Sequence, residues 1–134
     1  MLPKSERLKE KYLFDLAFNL GKKRKQKINS DLLSLYYLYR KKDINKSSFK
    51  TISIKTAFIV GLRVDKKANK RNIVKRRMRA AYAVLMKKNL NQLKNKISVL
   101  IWIANPLIKG ATFEQIKTSM EKLIIRLHNF QGNI

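Results

Sequence analysis

Cysteine is absent from this chain of 134 residues, and histidine occurs once, as His128. Without cysteine the protein forms no disulfide and has no thiolate ligand for zinc. A nucleophilic or acid–base mechanism that needs histidine would depend on His128 alone, and a surface histidine is the expected alternative for a position near the C-terminus. These absences argue against catalysis by the protein's own side chains.

Carboxylates are scarce, since 8 acidic residues face 32 basic ones and the formal net charge is +24. So many like charges repel one another, and a partner of opposite charge would offset this repulsion. Nucleic acid is the partner with the densest negative charge, because every phosphate is ionised. An anionic membrane surface is the alternative. Hydrophobic residues make up 45% of the chain, too many for a disordered basic tail, so we expect the charge to lie on a folded protein.

Long apolar runs are also missing. No stretch approaches the roughly 18 residues that span a bilayer. The N-terminal sequence MLPKSERLKEKYLFDLAF has no apolar segment followed by a small-residue cleavage site. We therefore expect a cytoplasmic protein. The length suits a single domain, 1–134, with an ordered core over about residues 5–128.

Helical periodicity predicts three helices. The first covers residues 5–20, with Ser5 as its N-cap and Gly21 as its end. The second covers residues 70–89, with Asn69 as its cap. The third follows Thr112–Gln115, which matches a capping box in which two side chains satisfy free backbone amides, and ends near Leu127.

Three apolar segments predict strands. LLSLYYLY, residues 32–39, is rich in aromatic residues, and ISVLIWIA, residues 97–104, is a continuous apolar run typical of a buried central strand. Between them, after a polar loop at residues 43–48, residues 49–64 predict one long strand or a strand that begins at Thr56. The resulting order, α-β-β-α-β-α, predicts an α+β fold in which helices pack on a small mixed sheet.

The densest basic segment is KKANKRNIVKRRMR, from Lys66 to Arg79, which has eight basic residues and no carboxylate. On a helical wheel one sector is apolar and basic residues occupy the remaining surface. The apolar sector holds Val74, Met78, Ala81, Tyr82 and Leu85. Like charges one turn apart, such as Lys75 and Arg79, destabilise a helix, so this face indicates phosphate binding rather than simple solvation. The pattern alone does not separate RNA from DNA.

Aromatic residues cluster in the first helix and the first strand. They are Phe14, Phe18, Tyr36, Tyr37 and Tyr39. Exposed aromatic rings hold unpaired bases by stacking, while the alternative is that these rings belong to the core. Because adjacent strand residues point to opposite faces, only one of Tyr36 and Tyr37 is expected to line a given cleft.

These motifs together resemble a known family. GLRVDKK followed by RNIVKRRMR resembles the signature of the bacterial ribonuclease P protein subunit. RLKEKYLFDLAFNLG is similar to the opening helix of that family, LYYL to its first strand, ISVLIWIANP to its last strand and TFEQIKTSMEKLI to its closing helix. The resemblance covers nearly the whole chain in the right order. Two departures are Ile73, at the third position of the family's Arg-Asn-Arg core, and a shortened link between Lys67 and Arg71.

The resemblance implies a small sandwich with a left-handed βαβ crossover into the basic helix. It also implies that the chain is the protein cofactor of a catalytic RNA, which cleaves the 5′ leader from precursor tRNA to give the mature 5′ end. Catalytic groups and Mg²⁺ would belong to the RNA, so no catalytic or metal-binding residue is expected on this chain. Neither a membrane nor a small-molecule substrate is implied.

By position, the resemblance assigns residues to two surfaces. The residues implied to bind the catalytic RNA are Lys66 and Lys67 at the end of the strand, and Arg71, Asn72, Lys75, Arg76 and Arg79 on the helix. The cleft between the first helix and the sheet would hold the single-stranded leader, through Phe14, Phe18, Tyr36 and Arg63.

Three other functions fit the composition. A non-catalytic RNA-binding protein, such as a ribosomal protein, would use the same charge and fold class. A DNA-binding architectural protein is a second alternative, although no helix-turn-helix pattern is evident. A peripheral membrane protein would need exposed apolar faces, which we assign instead to the core.

Overall fold

The computed structural model describes residues 6–23, 25–39, 54–93 and 96–131. The described elements are α1 (Lys11–Lys23), β1 (Lys27–Asn29), β2 (Leu33–Tyr39), β3 (Lys55–Ile59), α2 (Ala68–Leu93), β4 (Ile97–Ala104) and α3 (Phe113–Gln131), with a short 3-10 helix at Pro106–Ile108. The α+β class is confirmed, and β1 is a strand that the sequence did not predict. Ser5, the loop at residues 43–48 and the start of the predicted 49–64 strand lie outside the described residues.

The four strands form one mixed sheet in the order β1-β2-β4-β3. β2 runs antiparallel to β1 and β4, while β3 runs parallel to β4. ISVLIWIA is confirmed as a central strand, because β4 lies between two neighbours and is buried at seven of its eight positions. The chain passes from β3 through α2 to β4, which forms the expected βαβ crossover; the left hand of this crossover stays a prediction.

Helices cover both faces of the sheet. On one face α2 and α3 bury a core centred on Trp102, and the ring of Tyr82 on α2 lies 6.2 Å from the indole, centroid to centroid. On the other face α1 packs through Leu13 and Ala17 against Leu38 and its neighbours. Neighbouring residues along a strand therefore pack into different cores, one on each face of the sheet.

The first helix is shifted relative to the prediction. It begins at Lys11 because the residues before it run beside β3, where the backbone N–H of Leu8 donates to the carbonyl oxygen of Thr56 at 3.0 Å. It then continues through Gly21 to Lys23, so the prediction that Gly21 ends the helix is wrong.

The start of α2 also differs from the prediction. β3 ends at Ile59 and a turn follows, closed by a hydrogen bond from the N–H of Val64 to the carbonyl oxygen of Gly61. Lys66 and Lys67 therefore lie in the loop before α2 and not at the end of the strand. The helix begins at Ala68, one residue before the predicted cap Asn69.

Two helical predictions are confirmed in detail. The five residues of the predicted apolar sector of α2, from Val74 to Leu85, are all buried. Ahead of α3, the N–H of Thr112 donates to Oε1 of Gln115 at 2.9 Å and the N–H of Gln115 donates to Oγ1 of Thr112 at 3.2 Å. This pair of reciprocal bonds is the capping box.

Candidate nucleic-acid interface

The predicted catalytic-RNA set forms a basic face on α2 and the loop before it. We call Lys66, Lys67, Arg71, Asn72, Lys75, Arg76 and Arg79 the basic face. Its loop lysines, Asn72 and Arg76 are exposed, and the other three are half-buried. The sequence of α2 contains no carboxylate. The ion pairs within the described ranges use lysines outside this set, so its charge is not neutralised by them.

Arg71 holds the loop that carries the two lysines. Its Nη1 donates to the carbonyl oxygen of Asp65 at 3.1 Å and to that of Lys66 at 2.9 Å. The carboxylate of Asp65 accepts the N–H of Lys67 at 2.9 Å, and this bond lowers its pKa. Burial opposes the shift, and the nearby ammonium group of Lys109 adds to it. Arg71 therefore positions the loop in addition to contributing charge.

The predicted leader contacts Phe14, Phe18 and Tyr36 form a continuous aromatic row on the α1 side of the sheet. Ring centroids of Phe14 and Phe18 are 6.5 Å apart, and those of Phe18 and Tyr36 are 4.9 Å apart in an edge-to-face arrangement. All three rings are half-buried, so each has an accessible part. Nζ of Lys27 lies 5.2 Å from the centroid of Tyr36, which adds a cation beside the row.

Gly21 allows Tyr36 to lie against α1. A Cβ atom at this position would lie 2.5 Å from Cε2 and 2.7 Å from Cδ2 of the Tyr36 ring. The other tyrosine of the pair, Tyr37, is buried on the opposite face and packs against Tyr39 with centroids 5.5 Å apart. The parity of the strand thus places one tyrosine beside α1 and one in the α2–α3 core.

The floor beside the aromatic row is apolar. Ile101 of β4 lies between Tyr36 of β2 and Ala57 of β3 in the sheet register, and Ile59 pairs with Ile103 one step along. Ala57, Ile59 and Ile103 are half-buried, so the floor is accessible towards β3. An apolar floor with aromatic rings at its side suits stacked bases of an unpaired strand.

Arg63, the fourth predicted leader contact, lies elsewhere. Its exposed side chain belongs to the turn after β3, at residues 61–64. Within the described residues no ring contact or hydrogen bond joins it to the aromatic row. The structure therefore brings together three of the four predicted cleft residues.

A groove at the outer edge of β3 links the two sides of the sheet. Its volume is about 270 Å³. It is lined by Arg7, Leu8, Thr56, Ala57, Phe58, Lys75 and Arg79, and we call it the edge groove. Sequence reasoning missed Arg7, because this residue lies inside the predicted first helix, residues 5–20, whereas the structure places it in a segment that pairs with β3.

No group of three or more histidine, cysteine, aspartate or glutamate residues in the ranges 6–23, 25–39, 54–93 and 96–131 is arranged to hold a metal ion. Across the same ranges, helices of the length and hydropathy that a bilayer span requires are not found.

The fold and its charge define a class: a small basic α+β protein with a helix-covered mixed sheet and a carboxylate-free basic helix. The family model described as Ribonuclease P matches residues 2–128. The chain therefore belongs to the ribonuclease P protein family, as the resemblance in its motifs indicated. Membership implies tRNA processing and RNA binding.

Solved structures of bacterial RNase P proteins share the fold. The Staphylococcus aureus protein at 2.0 Å resolution is 20% identical, with a TM-score of 0.65 over 92% of this chain and 95% of that chain. A second structure of the S. aureus protein is 21% identical, with a TM-score of 0.64 over 96% and 92% of the two chains. The Thermotoga maritima protein is 16% identical, with a TM-score of 0.64 over 90% and 96%. No curated protein sequence matches this chain.

Proposed function

We propose that this chain is the protein subunit of ribonuclease P. In this role it binds the catalytic RNA and the 5′ leader of precursor tRNA, and assists endonucleolytic removal of the leader. The RNA supplies the catalytic groups and holds Mg²⁺, while the protein binds and positions. The cytoplasm is the compartment expected for such a subunit.

The basic face is the proposed docking surface for the catalytic RNA. A helix is a stiff support, and the side chains of Asn72, Lys75, Arg76 and Arg79 project from it towards phosphates of a folded RNA. Arg71 supports this surface by holding the loop of Lys66 and Lys67 through two carbonyl oxygens. Binding of this kind depends strongly on salt, because each neutralised phosphate releases counterions.

The aromatic row and its apolar floor are the proposed leader site. Stacking on Phe14, Phe18 and Tyr36 is available to any base, so it holds a leader without a sequence requirement. Arg63 lies in an exposed turn after β3. We propose that it contacts the leader only where the RNA leaves the cleft, at the carboxyl end of β3.

One observation carries the proposal: the basic face and the leader site meet at the edge groove. Lys75 and Arg79 of α2 line this groove together with Ala57, which also belongs to the apolar floor beside the aromatic row. A catalytic RNA docked on α2 and a leader lying on the sheet would therefore come close at β3. Two polyanions repel each other, and the basic residues at this edge offset that repulsion.

The test is cleavage of precursor tRNA by the cognate catalytic RNA, with and without this protein, across a magnesium titration. Protein and Mg²⁺ provide overlapping screening, so we expect the stimulation to be largest at low magnesium and to shrink as magnesium rises. Absence of stimulation by folded protein, with the RNA active alone at high magnesium, would contradict the proposal. Equal stimulation at all magnesium concentrations would contradict its electrostatic part.

A matched pair of variants ties the effect to α2. Arg76→Ala removes an exposed cation from the basic face, and Lys122→Ala removes an exposed cation from α3. Arg76→Ala should lower the salt slope of catalytic-RNA affinity by about 0.7–0.9, the value for one lost phosphate contact, and leave the circular dichroism spectrum unchanged. Lys122→Ala should keep the wild-type slope.

A further inference from the structure

A second basic pocket lies on the other flank of α2, between its first turns and the turn that follows β4. Its volume is about 440 Å³. It is lined by Val64, Asp65, Lys67, Lys70, Ile73, Val74, Arg77, Lys109 and Gly110, and we call it the flank pocket. Apart from Lys67, none of its cations belongs to the basic face.

The electrostatics of the flank pocket favour an anion. Four cations line it against one carboxylate, that of Asp65. Nζ of Lys109 lies 3.3 Å from Oδ2 of Asp65, and the lysine side chain is exposed, so its ammonium group is accessible to an incoming anion while Asp65 keeps its bond to the N–H of Lys67. The side chains of Ile73 and Val74 add apolar surface to the lining of this pocket.

Arg77 is held in a fixed position at this pocket. Its Nη1 donates to the carbonyl oxygen of Ala111 at 2.8 Å, which anchors the guanidinium between α2 and the segment before α3. A guanidinium has five N–H donors, so this bond leaves others for a ligand. A planar group fixed in this way suits the paired oxygens of a phosphate.

We propose that Lys70, Arg77 and Lys109 bind a backbone phosphate of the catalytic RNA in the flank pocket. This inference rests on the proposed function and extends the docking surface around α2. Lys67 belongs to both the basic face and the flank pocket, so one RNA covers both without a break. The leader site is on the opposite face of the sheet, beside α1, which favours the catalytic RNA over the leader as the source of this phosphate.

The test compares two double variants, each of which removes two exposed lysine charges. Lys70→Gln with Lys109→Gln acts on the flank pocket. Lys87→Gln with Lys122→Gln is the control; Lys87 lies about 25 Å along α2 from Lys70, at 1.5 Å per residue. The measurement is the affinity for the cognate catalytic RNA over a series of salt concentrations. We expect the pocket variant to lower the salt slope by about 0.7–0.9 and the control to lower it by much less.

Arg77 is tested separately because its bond to Ala111 also supports the fold. Arg77→Lys keeps the charge but loses the paired N–H donors of the planar guanidinium, so we expect weaker RNA binding with a nearly unchanged salt slope. Thermal melting of each variant, followed by circular dichroism, identifies any loss that comes from unfolding. The two lysine substitutions leave the bond from Arg77 to Ala111 in place, so the result with that double variant decides the proposal even if Arg77→Lys is unstable.

The outcomes separate this inference from the proposed function. If the wild-type protein does not bind the catalytic RNA, the proposed function fails and this inference fails with it. If wild-type binding and the Arg76→Ala effect are as expected but the pocket and control variants behave alike, only the flank pocket is refuted. A pocket variant that loses affinity for the leader, but not for the catalytic RNA, would also overturn the assignment.

Discussion

Replacement of Gly21 by alanine tests the leader site through a residue that a leader does not need to touch. The added Cβ would lie 2.5 Å from the ring of Tyr36, closer than carbon atoms approach without displacement. The ring of Tyr36 must therefore turn away from α1. That movement breaks its edge-to-face contact with Phe18 and its contact with Lys27.

The expected change in folding stability is small because two effects oppose each other. Alanine favours the helix over glycine by about 1 kcal/mol. Loss of the ring pair costs about 0.5–1.5 kcal/mol and loss of the cation–π contact about 0.5–1 kcal/mol. Gly21→Ala should therefore lower the free energy of unfolding by about 0–1.5 kcal/mol. One lost stacking platform should weaken leader binding by about 1–3 kcal/mol, or about 5- to 150-fold.

The assay compares holoenzyme affinity for precursor tRNA with and without its leader, alongside urea denaturation of the free protein. Asn19→Ala, on the exposed side of α1, is the control and should leave the leader contribution unchanged. Tyr36→Leu should reproduce the loss, and the double variant with Gly21→Ala should add little to it, because both act on one ring. A leader contribution that stays within twofold of wild type in Gly21→Ala would refute this reasoning.

Three further predictions concern stability and the loop before α2. Glu10 is partly buried, which raises its pKa, but its bond to Nζ of Lys55 at 2.7 Å and the charge of that lysine outweigh this and lower the pKa below 4.5. Glu10→Gln should therefore cost about 0.5–1 kcal/mol at neutral pH, and the difference from wild type should vanish as pH falls through the lowered pKa, as followed by denaturation at several pH values. Arg71→Met should free the loop carbonyls and speed hydrogen exchange at the Lys67 amide; unchanged exchange there would show that Arg71 does not position the loop. Leu85→Asp places a charge at a fully buried position and should cost more than about 4 kcal/mol, visible as lost helical signal in circular dichroism, whereas a folded variant would contradict the core assignment.

Elements governed by local patterns were predictable from the sequence. The apolar sector of α2, the central strand β4 and the capping box before α3 each depend on residues within a few positions of one another. β1 was not predictable, because its three residues form a strand only through pairing with β2. The prediction that Gly21 ends the first helix was wrong for a related reason. Glycine is needed there because a Cβ atom would collide with the ring of Tyr36, a residue of another element.

The candidate site divides in the same way. Phe14 and Phe18, which the resemblance assigned to one cleft, are one helical turn apart, a spacing that puts them on one side of α1. Strand parity required Tyr36 and Tyr37 to lie on opposite faces. Arg7 and Lys109 were missed because they come from segments outside the main helices and strands. Their positions depend on the packing of the whole sheet, and a single sequence does not encode such proximity in any local pattern.

The outer edge of β3 has a consequence for the free protein before it meets RNA. An unpaired strand edge with apolar neighbours is a template for pairing with a second molecule, and hence for aggregation. In this protein the N–H of Leu8 donates a hydrogen bond to the carbonyl oxygen of Thr56, and Lys75 and Arg79 lie beside the same edge of β3. We therefore expect the N-terminal segment and these two cations to disfavour pairing of the β3 edge with a second molecule, and so to lower the tendency of the free protein to aggregate.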